Sequence, residues 1–376
     1  MRFIHISDLH IGKKLRDRSL EEDQQHILSE ILRIVDEIDP DGVIIAGDVY
    51  DTSSPTVDSV RMLDWFLTEL SGRDLDTFVI AGNHDSPEKL GFGNRIFEKN
   101  RLFISGVFSG TMDRHTLVRG DERVDVYLLP FIKPAHVRRM YPDEEIDDYT
   151  DAVASAIAHT EIEEGVPKIA VTHQFIVSDG DSPVTCDSES VFVGGTESVK
   201  ASVFDGFDYV ALGHIHKPQS IGRETVRYCG TPLKYSLSEK DHQKSVTIVD
   251  ITADGVELSY EPLMPLRDMR QITGRLEDLI AYGRNDPGRE DYIYVTLTED
   301  AIDALSRLRE VFPNTMNIDV VGTEGIKGVT EEVAVERMDM MELFSQFYEL
   351  RTGAPLTDSQ RKLVADLMDD DMGAIM

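Results

Sequence analysis

The chain has 376 residues, 41% of them hydrophobic and 29% charged, and 70 acidic against 38 basic residues give a formal net charge of −32. This length and composition indicate a globular protein of two or three domains. No apolar run reaches the roughly 18 residues of a membrane span, and the chain opens on a strand pattern rather than a signal peptide. Two cysteines, Cys186 and Cys229, do not make a disulfide framework, so we predict a cytoplasmic protein without membrane contact.

Five short apolar runs are each followed by residue types that bind metal ions. The runs are 2–7, 42–46, 77–81, 168–172 and 208–212. Their length of about five residues and their content of Val, Ile, Phe and Tyr predict buried strands. Ligands of open α/β sheets collect beyond the carboxyl ends of the strands, so we expect the residues that follow to converge. Those residues are Asp8, His10, Asp48, Asn83, His84, His173, His214 and His216.

All of these residues except His84 form a donor set that suits two transition-metal ions. Asp, His and Asn together favour Mn, Fe or Zn over Ca, which prefers oxygen alone, and over a structural zinc site, which prefers thiolates. Seven donors exceed the needs of one four-coordinate ion, whereas two ions about 3.5–4 Å apart that share a carboxylate use them all. We expect Gly47, Gly82 and Gly213 to let the backbone turn sharply at the strand ends.

The first predicted region covers residues 1–262. Apolar stripes predict helices over 21–38 and 58–70. An acidic stretch becomes an Ala-rich helix within 143–158, and 177–195 is a polar loop that we interpret as a flap on the substrate side. Short strands follow before the region ends.

Two further regions follow Pro262 and Pro265. Residues 266–322 show a β-α-β-α-β pattern, with segments 269–274, 276–282, 292–297, 301–312 and 316–321. Residues 334–372 predict a helical hairpin, in which Thr357 and Gln360 form a capping box. Two short helices bury their apolar faces poorly alone, so the hairpin either folds back on the body or docks on a partner. Its apolar stripes are Met340, Leu343, Phe344, Phe347, Leu363, Val364, Leu367 and Met368.

The motifs together resemble the calcineurin-like metallophosphoesterase superfamily. They are Asp-x-His at 8–10, Gly-Asp at 47–48, Gly-Asn-His-Asp at 82–85, the lone His173 and Gly-His-x-His at 213–216. The resemblance extends over nearly the whole chain to bacterial DNA-repair nucleases of the superfamily. It implies an α/β fold, a β-sandwich flanked by helices in α-β-β-α layers, with a small capping domain and a C-terminal helical hairpin.

The resemblance also implies roles for the site residues. Asp8, His10, Asp48 and His216 would hold one metal ion, and Asn83, His173 and His214 would hold the other together with a bridging Asp48. The catalytic residues are predicted to be His84 and Asp51. His84 would contact the phosphate and protonate the leaving oxygen. Archaeal and eukaryotic relatives carry a His at the position of Asp51, whose carboxylate we expect to accept the second ring N–H of His84. The alternative is a structural His84 fixed by Asp85 or Asp51.

The implied activity is hydrolysis of DNA phosphodiester bonds, with Mn²⁺ as the expected metal. It would combine double-strand exonuclease with single-strand and hairpin endonuclease activity in repair and recombination. The implied partners are DNA, a second copy of the chain and an SMC-like ATPase docked on the hairpin, giving a heterotetramer. A G-x-x-x-x-G-K-[ST] signature is absent, so we predict that this chain binds no nucleotide itself.

Two other functions remain open, and the net charge bears on all three. A phosphatase of the same fold typically shows Gly-Asp-x-x-Asp-Arg and Gly-Asn-His-Glu, where this chain has Thr52 and Asp85. A non-catalytic scaffold for an ATPase would not need the complete ligand set. The charge of −32 opposes DNA binding by the chain alone, so metal ions and a basic partner surface would have to offset it.

Overall fold

The computed structural model describes residues 1–178, 180–189 and 197–321, and the single residues 345, 355, 357, 360 and 361. The chain divides into two compact units, Met1–Asp319 and Val320–Met376. The strands are β1 Arg2–Ile6, β2 Lys14–Leu15, β3 Arg18–Ser19, β4 Gly42–Ile45, β5 Asp76–Ile80, β6 Leu102–Ser105, β7 Asp113–Arg119, β8 Glu122–Leu129, β9 Lys168–Thr172, β10 Phe175–Val177, β11 Ser198–Lys200, β12 Tyr209–Leu212, β13 Gln219–Ile221, β14 Arg223–Tyr228, β15 Ser245–Thr252, β16 Gly255–Pro262, β17 Met269–Gly274, β18 Tyr292–Leu297 and β19 Thr315–Val320. The α-helices are α1 Glu21–Ile38, α2 Val57–Ser71, α3 Pro87–Leu90, α4 Asn94–Phe97, α5 Pro134–Met140, α6 Tyr149–Ala158, α7 Leu276–Gly283 and α8 Ala304–Arg309.

Two six-stranded sheets form a sandwich. The first has the order β16-β15-β1-β4-β5-β6, and the second has the order β13-β14-β12-β9-β8-β7. The neighbours β1, β4, β5 and β6 are parallel, as are β14, β12, β9 and β8. Apolar side chains such as Phe3, Phe78, Val126 and Tyr209 fill the space between the sheets.

Helices cover the outer faces of the sandwich. On α1 and α2, Ile31 and Phe66 pack over the first sheet, while α5 and α6 contribute Val137 and Val153 to a separate core under the second sheet. The predicted α-β-β-α layering is therefore confirmed. The five predicted strands are β1, β4, β5, β9 and β12, and β4, β5 and β12 are buried along their whole length because both faces of each sheet are covered.

The predicted small α/β region forms a three-stranded sheet with the order β17-β18-β19, covered by α7 and α8. Helix α8 is shorter than the predicted segment 301–312, since Asp303 adopts a left-handed φ of 54° that cannot belong to a helix. Met269 and Tyr292 extend the apolar core beneath α1. Asp23 of α1 accepts hydrogen bonds from the Tyr292 hydroxyl and the Arg267 guanidinium, both at 2.7 Å.

Part of the sequence prediction falls outside the described residues. This applies to residues 179 and 190–195 of the predicted flap and to almost all of the predicted hairpin 334–372. The capping box is described: Thr357 N donates to Gln360 Oε1 at 3.0 Å, and Gln360 N donates to Thr357 Oγ1 at 3.4 Å. Within the described part of the chain, no helix is long and apolar enough to span a membrane.

Candidate metal centre

The loops that follow the central strands of both sheets meet at one edge of the sandwich. The loops after β1 and β4 are joined by Asp8 N to Gly47 O and by His10 N to Asp48 O, both at 3.0 Å. A bond between the sheets is formed where His214 N, after β12, donates to Asp8 Oδ1 at 3.0 Å. The parallel register thus brings residues distant in sequence into one site.

All seven predicted ligands lie together in this site. Asp48 Oδ2 is 3.3 Å from His173 Nε2 and 3.8 Å from His10 Nε2. It therefore stands between the two predicted ligand sets, where a bridging carboxylate must stand. Asn83 Oδ1 lies 3.1 Å from His173 Nε2 and 3.0 Å from His214 Nδ1. The first set is closed by Asp8, His10 and His216, whose donor atoms fall within 4.8 Å of one another.

The donor atoms of the site fit a pair of divalent cations. His10 Nε2 and His216 Nε2 face each other at 3.2 Å, and both rings are buried. A mixture of imidazole nitrogens, carboxylates and one amide oxygen is the chemistry that Mn, Fe and Zn accept. Asp8, His10, Asp48 and His216 would hold one ion, and Asp48, Asn83, His173 and His214 the other.

The protonation of the histidines differs across the site. Burial lowers the pKa of His214 to about 3 and also lowers the pKa of His216, so both are neutral imidazoles, the form that binds metals. Burial also acts to lower the pKa of His173, but the adjacent Asp48 and Asp8 carboxylates outweigh burial and raise that pKa to about 9. Although burial favours a protonated Asp48, neighbouring His173, His10 and His84 hold its pKa well below the usual range.

Several ligands have strained backbones. Asp8, His10, Asp48 and His214 have φ values of 52°, 45°, 47° and 95°. The left-handed region is unfavourable for residues with a Cβ atom, and such strain of about 1–3 kcal/mol per residue persists only where the surroundings impose it. The hydrogen bonds between the loops after β1 and β4 hold Asp8, His10 and Asp48, and His214 N donates to the Asp8 carboxylate.

The three motif glycines serve two different purposes. Gly47 has a φ of 87° and makes the expected sharp turn. Gly82 and Gly213 have no such φ, so that expectation is wrong for them. A Cβ atom on Gly82 would overlap the Asp48 carboxylate and backbone nitrogen, and one on Gly213 would overlap the Ala46 carbonyl oxygen and the His173 ring. These two glycines are required because the loops pack closely around the ligands.

His84 lies beside the ligands with one ring nitrogen committed. Its Nδ1 donates to the backbone carbonyl of Asp51 at 2.8 Å, and its Nε2 lies 4.0 Å from Asp48 Oδ2. The prediction that the Asp51 carboxylate would hold His84 is therefore wrong. That carboxylate instead accepts from Lys13 Nζ at 2.8 Å and lies 3.5 Å from His10 Nδ1. Burial raises its pKa, but His10 and Lys13 outweigh burial and lower the pKa to about 2.

Asp85 fixes the backbone of the site and makes no hydrogen bond to His84. Its carboxylate accepts from Gly82 N, Val49 N and Tyr50 N at 2.9, 3.1 and 2.9 Å. The loops after β4 and β5 are thereby tied together. Burial and the nearby Asp48 charge raise the pKa of Asp85 to about 6, although the three N–H donors oppose this.

Sequence reasoning missed the residues that surround His216. Ser188 Oγ lies 2.7 Å from His216 Nδ1, and Glu189 Oε1 accepts from His216 N at 2.6 Å. The fully buried Glu239 accepts from Ser188 Oγ at 2.6 Å and pairs with Lys244 Nζ at 2.6 Å. No motif signals these residues, and the only available hint was the polar character of the loop that contains Ser188.

Comparison with known proteins agrees with this architecture. Residues 1–218 match the calcineurin-like phosphoesterase family, and residues 265–352 match the type 5 capsule protein repressor C-terminal domain. The chain belongs to the calcineurin-like phosphoesterase family.

Within this family, the chain is similar to SbcD. It is 30% identical over 378 residues to the SbcD subunit of the nuclease SbcCD from Staphylococcus saprophyticus subsp. saprophyticus, and the match covers 98% of each chain. The predicted resemblance is thus confirmed.

Similar solved structures are more distant. A dimetal phosphatase from Danio rerio is 13% identical, with a TM-score of 0.40 over 71% of this chain and 98% of the other. A protein from Thermus thermophilus is 12% identical, with a TM-score of 0.37 over 69% of this chain and 98% of the other.

Proposed function

We propose that this chain is the nuclease subunit of an SbcCD-type complex, a metal-dependent phosphodiesterase that cleaves DNA. The observation that carries the proposal is the convergence of the seven predicted metal ligands, Asp48 among them, with His84 Nε2 4.0 Å from Asp48 Oδ2. A scaffold that did not catalyse a reaction would have no use for this arrangement. The curated relative that the chain matches end to end is a nuclease subunit.

Two divalent ions, when bound, supply a water of lowered pKa and positive charge beside the phosphate. The chain supplies the proton transfer. Because Nδ1 of His84 donates to the Asp51 carbonyl, its Nε2 is the nitrogen left to contact a phosphate oxygen and to protonate the leaving oxygen. A covalent intermediate is not part of the proposal, since Ser7 and Cys229 are buried and engaged with Asp8 and with each other.

We further propose Mn²⁺ as the metal in the cell and both exonuclease and hairpin endonuclease activities on DNA, in a cytoplasmic complex. Mn²⁺ fits a site of mixed nitrogen and oxygen donors. The region 266–322 would contact DNA, and the partner would supply positive surface that a chain of net charge −32 lacks.

Homodimer formation is proposed through the surface formed by α2, α3 and α4 and the segment between the last two. Val57, Phe92 and Ile96 there are 66%, 81% and 68% exposed. Large exposed apolar residues are enriched on interaction surfaces. A second copy of the chain would cover them in an isologous contact.

The ATPase partner is proposed to bind residues 334–372 through the predicted apolar stripes. Removing all residues after Gly328 should abolish co-purification with the SbcC-type ATPase and leave hydrolysis of a small chromogenic phosphodiester unchanged. If the shortened chain still co-purifies, the partner contact lies elsewhere on the chain.

The function is tested with the full chain on blocked-end and hairpin DNA duplexes, with Mn²⁺ and with or without the ATPase. Cleavage that requires metal and His84 supports the proposal. A chromogenic phosphodiester and the matching monoester are compared in parallel. Preference for the monoester with no DNA cleavage would instead identify a phosphatase, and no turnover of any substrate by the metal-loaded protein would leave only a scaffold role.

A further inference from the structure

His216 is held at both ends by side chains that no motif includes. Its backbone N–H donates to Glu189 Oε1 at 2.6 Å, and its ring Nδ1 lies 2.7 Å from Ser188 Oγ. His173 and His84 are oriented differently. Backbone carbonyl groups of Ala46 and Asp51 accept from Nδ1 of His173 and His84, both at 2.8 Å.

The surroundings of Glu239 determine where the proton of the Ser188 hydroxyl lies. Glu239 accepts from Lys244 Nζ at 2.6 Å and from Tyr235 N at 3.1 Å. An ammonium group and a backbone N–H only donate, so the carboxylate acts as an acceptor. Ser188 has one hydroxyl proton, and at 2.6 Å from Glu239 Oε1 it must donate that proton to the carboxylate.

The direction of this bond fixes the tautomer of His216. With its proton directed to Glu239, Ser188 Oγ can only accept, so the partner atom His216 Nδ1 must carry a proton. The neutral ring then has its lone pair on Nε2. His216 Nε2 lies 3.2 Å from Nε2 of His10, the other histidine predicted to hold the first metal ion.

We propose that Ser188, Glu189 and Glu239 are positioning residues of the metal centre, which hold His216 with Nε2 free to bind the first divalent ion. Ser188 transmits the orientation from the buried Glu239–Lys244 pair, and Glu189 fixes the backbone. A carboxylate or hydroxyl that orients a metal-binding imidazole typically changes metal affinity 10–100-fold when removed. The loop that contains Ser188 thereby sets the affinity of one metal position and leaves the other unchanged.

The first test needs no substitution. Full-length protein labelled with ¹⁵N-histidine is freed of metal, and the His216 side-chain resonances are assigned by their loss in His216→Gln. We expect Nδ1 to carry the proton in the wild type. In Ser188→Ala this preference should be lost, and Ser188→Thr, which keeps the hydroxyl, should restore it. A wild-type His216 protonated on Nε2 overturns the proposal.

The second test measures Mn²⁺ binding to the metal-free full chain by calorimetry. Ser188→Ala should weaken one of two binding sites 10–100-fold and change the other less than about threefold. Ser182→Ala, an exposed position of the same loop, is the matched control and should change neither. If both sites of a folded Ser188→Ala keep wild-type affinity, the positioning role is disproved.

The inference rests on the proposed function only in assuming that the site binds two metal ions. Its readouts are independent of DNA cleavage. If the wild type binds two Mn²⁺ ions but cleaves no DNA, and Ser188→Ala weakens one of the metal sites, the nuclease function is refuted and the positioning role is supported. If the wild type cleaves DNA but Ser188→Ala binds Mn²⁺ as tightly as the wild type, the nuclease function is supported and the positioning role is refuted.

Discussion

Asp8 and Asp48, which follow strands of the first sheet, are held by backbone hydrogen bonds between neighbouring loops. His216, which follows the second sheet, is held by the side chain of Ser188, 28 residues earlier in the chain. The positions of Asp8 and Asp48, the half of the site on the first sheet, follow directly from the register of the parallel strands β1 and β4. On the second sheet, His173 and His214 also follow parallel strands, but the ring of His216 contacts a serine from a distant loop. We therefore expect substitutions in the two halves to affect metal binding in different ways.

Asp48→Ala should have the largest effect, because Asp48 is the predicted ligand that belongs to both metal positions. We expect the loss of both ions and a fall in phosphodiesterase activity of about 10³-fold or more, since the ions stabilise the charge of the reaction. Metal content per subunit, measured by mass spectrometry, checks this. Retention of two ions per subunit would contradict the bridging role.

His84→Gln or His84→Ser should separate catalysis from metal binding. His84 is predicted to protonate the leaving group and not to bind metal, so activity should fall about 10²-fold or more. The metal content should stay at the wild-type level, and His26→Gln, at a partly buried position of α1 outside the site, is the control. Normal turnover by the His84 variants would rule out the assigned role.

Gly213→Ala tests the close packing between the loop after β12 and the loops after β4 and β9. The added methyl group would meet the Ala46 carbonyl oxygen and the His173 ring, both fixed by the fold. We expect the free energy of unfolding to fall by roughly 2–3 kcal/mol. Gly206→Ala, which has open space around the new atom, should stay within about 0.5 kcal/mol of the wild type. Equal stability of the two variants in urea titrations would disprove the packing argument.

The pH dependence of metal affinity should distinguish His173 from the two histidines after β12. The pKa of His173 is raised to about 9, so it carries a proton at neutral pH that a metal ion must displace. The neutral His214 has none to lose, since its pKa is lowered to about 3. Mn²⁺ affinity of the metal-free protein should therefore rise by up to about tenfold per pH unit from pH 6 to 8. A flat profile would refute a protonated His173.

The sequence alone was sufficient to predict the five strands that lead into the site and the residues that gather at their ends, but not the order of the strands in the two sheets. Strand β4, Gly42–Ile45, for example, is a short apolar run followed by Gly47 and Asp48, and this local pattern predicts both the strand and the candidate ligand after it. The three strands of the small α/β region after Pro265 were predicted in the same way, from short local apolar patterns. Motifs of this kind lie within a few consecutive residues, so no tertiary information is needed to detect them.

Tertiary structure decided which atoms orient those residues. The partner of His84 is the carbonyl oxygen of Asp51, an atom that every residue has, so no sequence pattern could distinguish it from the carboxylate. Gly82 and Gly213 are required by atoms of Asp48 and Ala46, which approach them only after the strands have paired. Ser188 lies between His216 and Glu239, and its hydroxyl oxygen is 2.7 Å from His216 Nδ1 and 2.6 Å from Glu239 Oε1. Such contacts join residues far apart in the chain, and their hydrogen-bond geometry exists only in the folded protein.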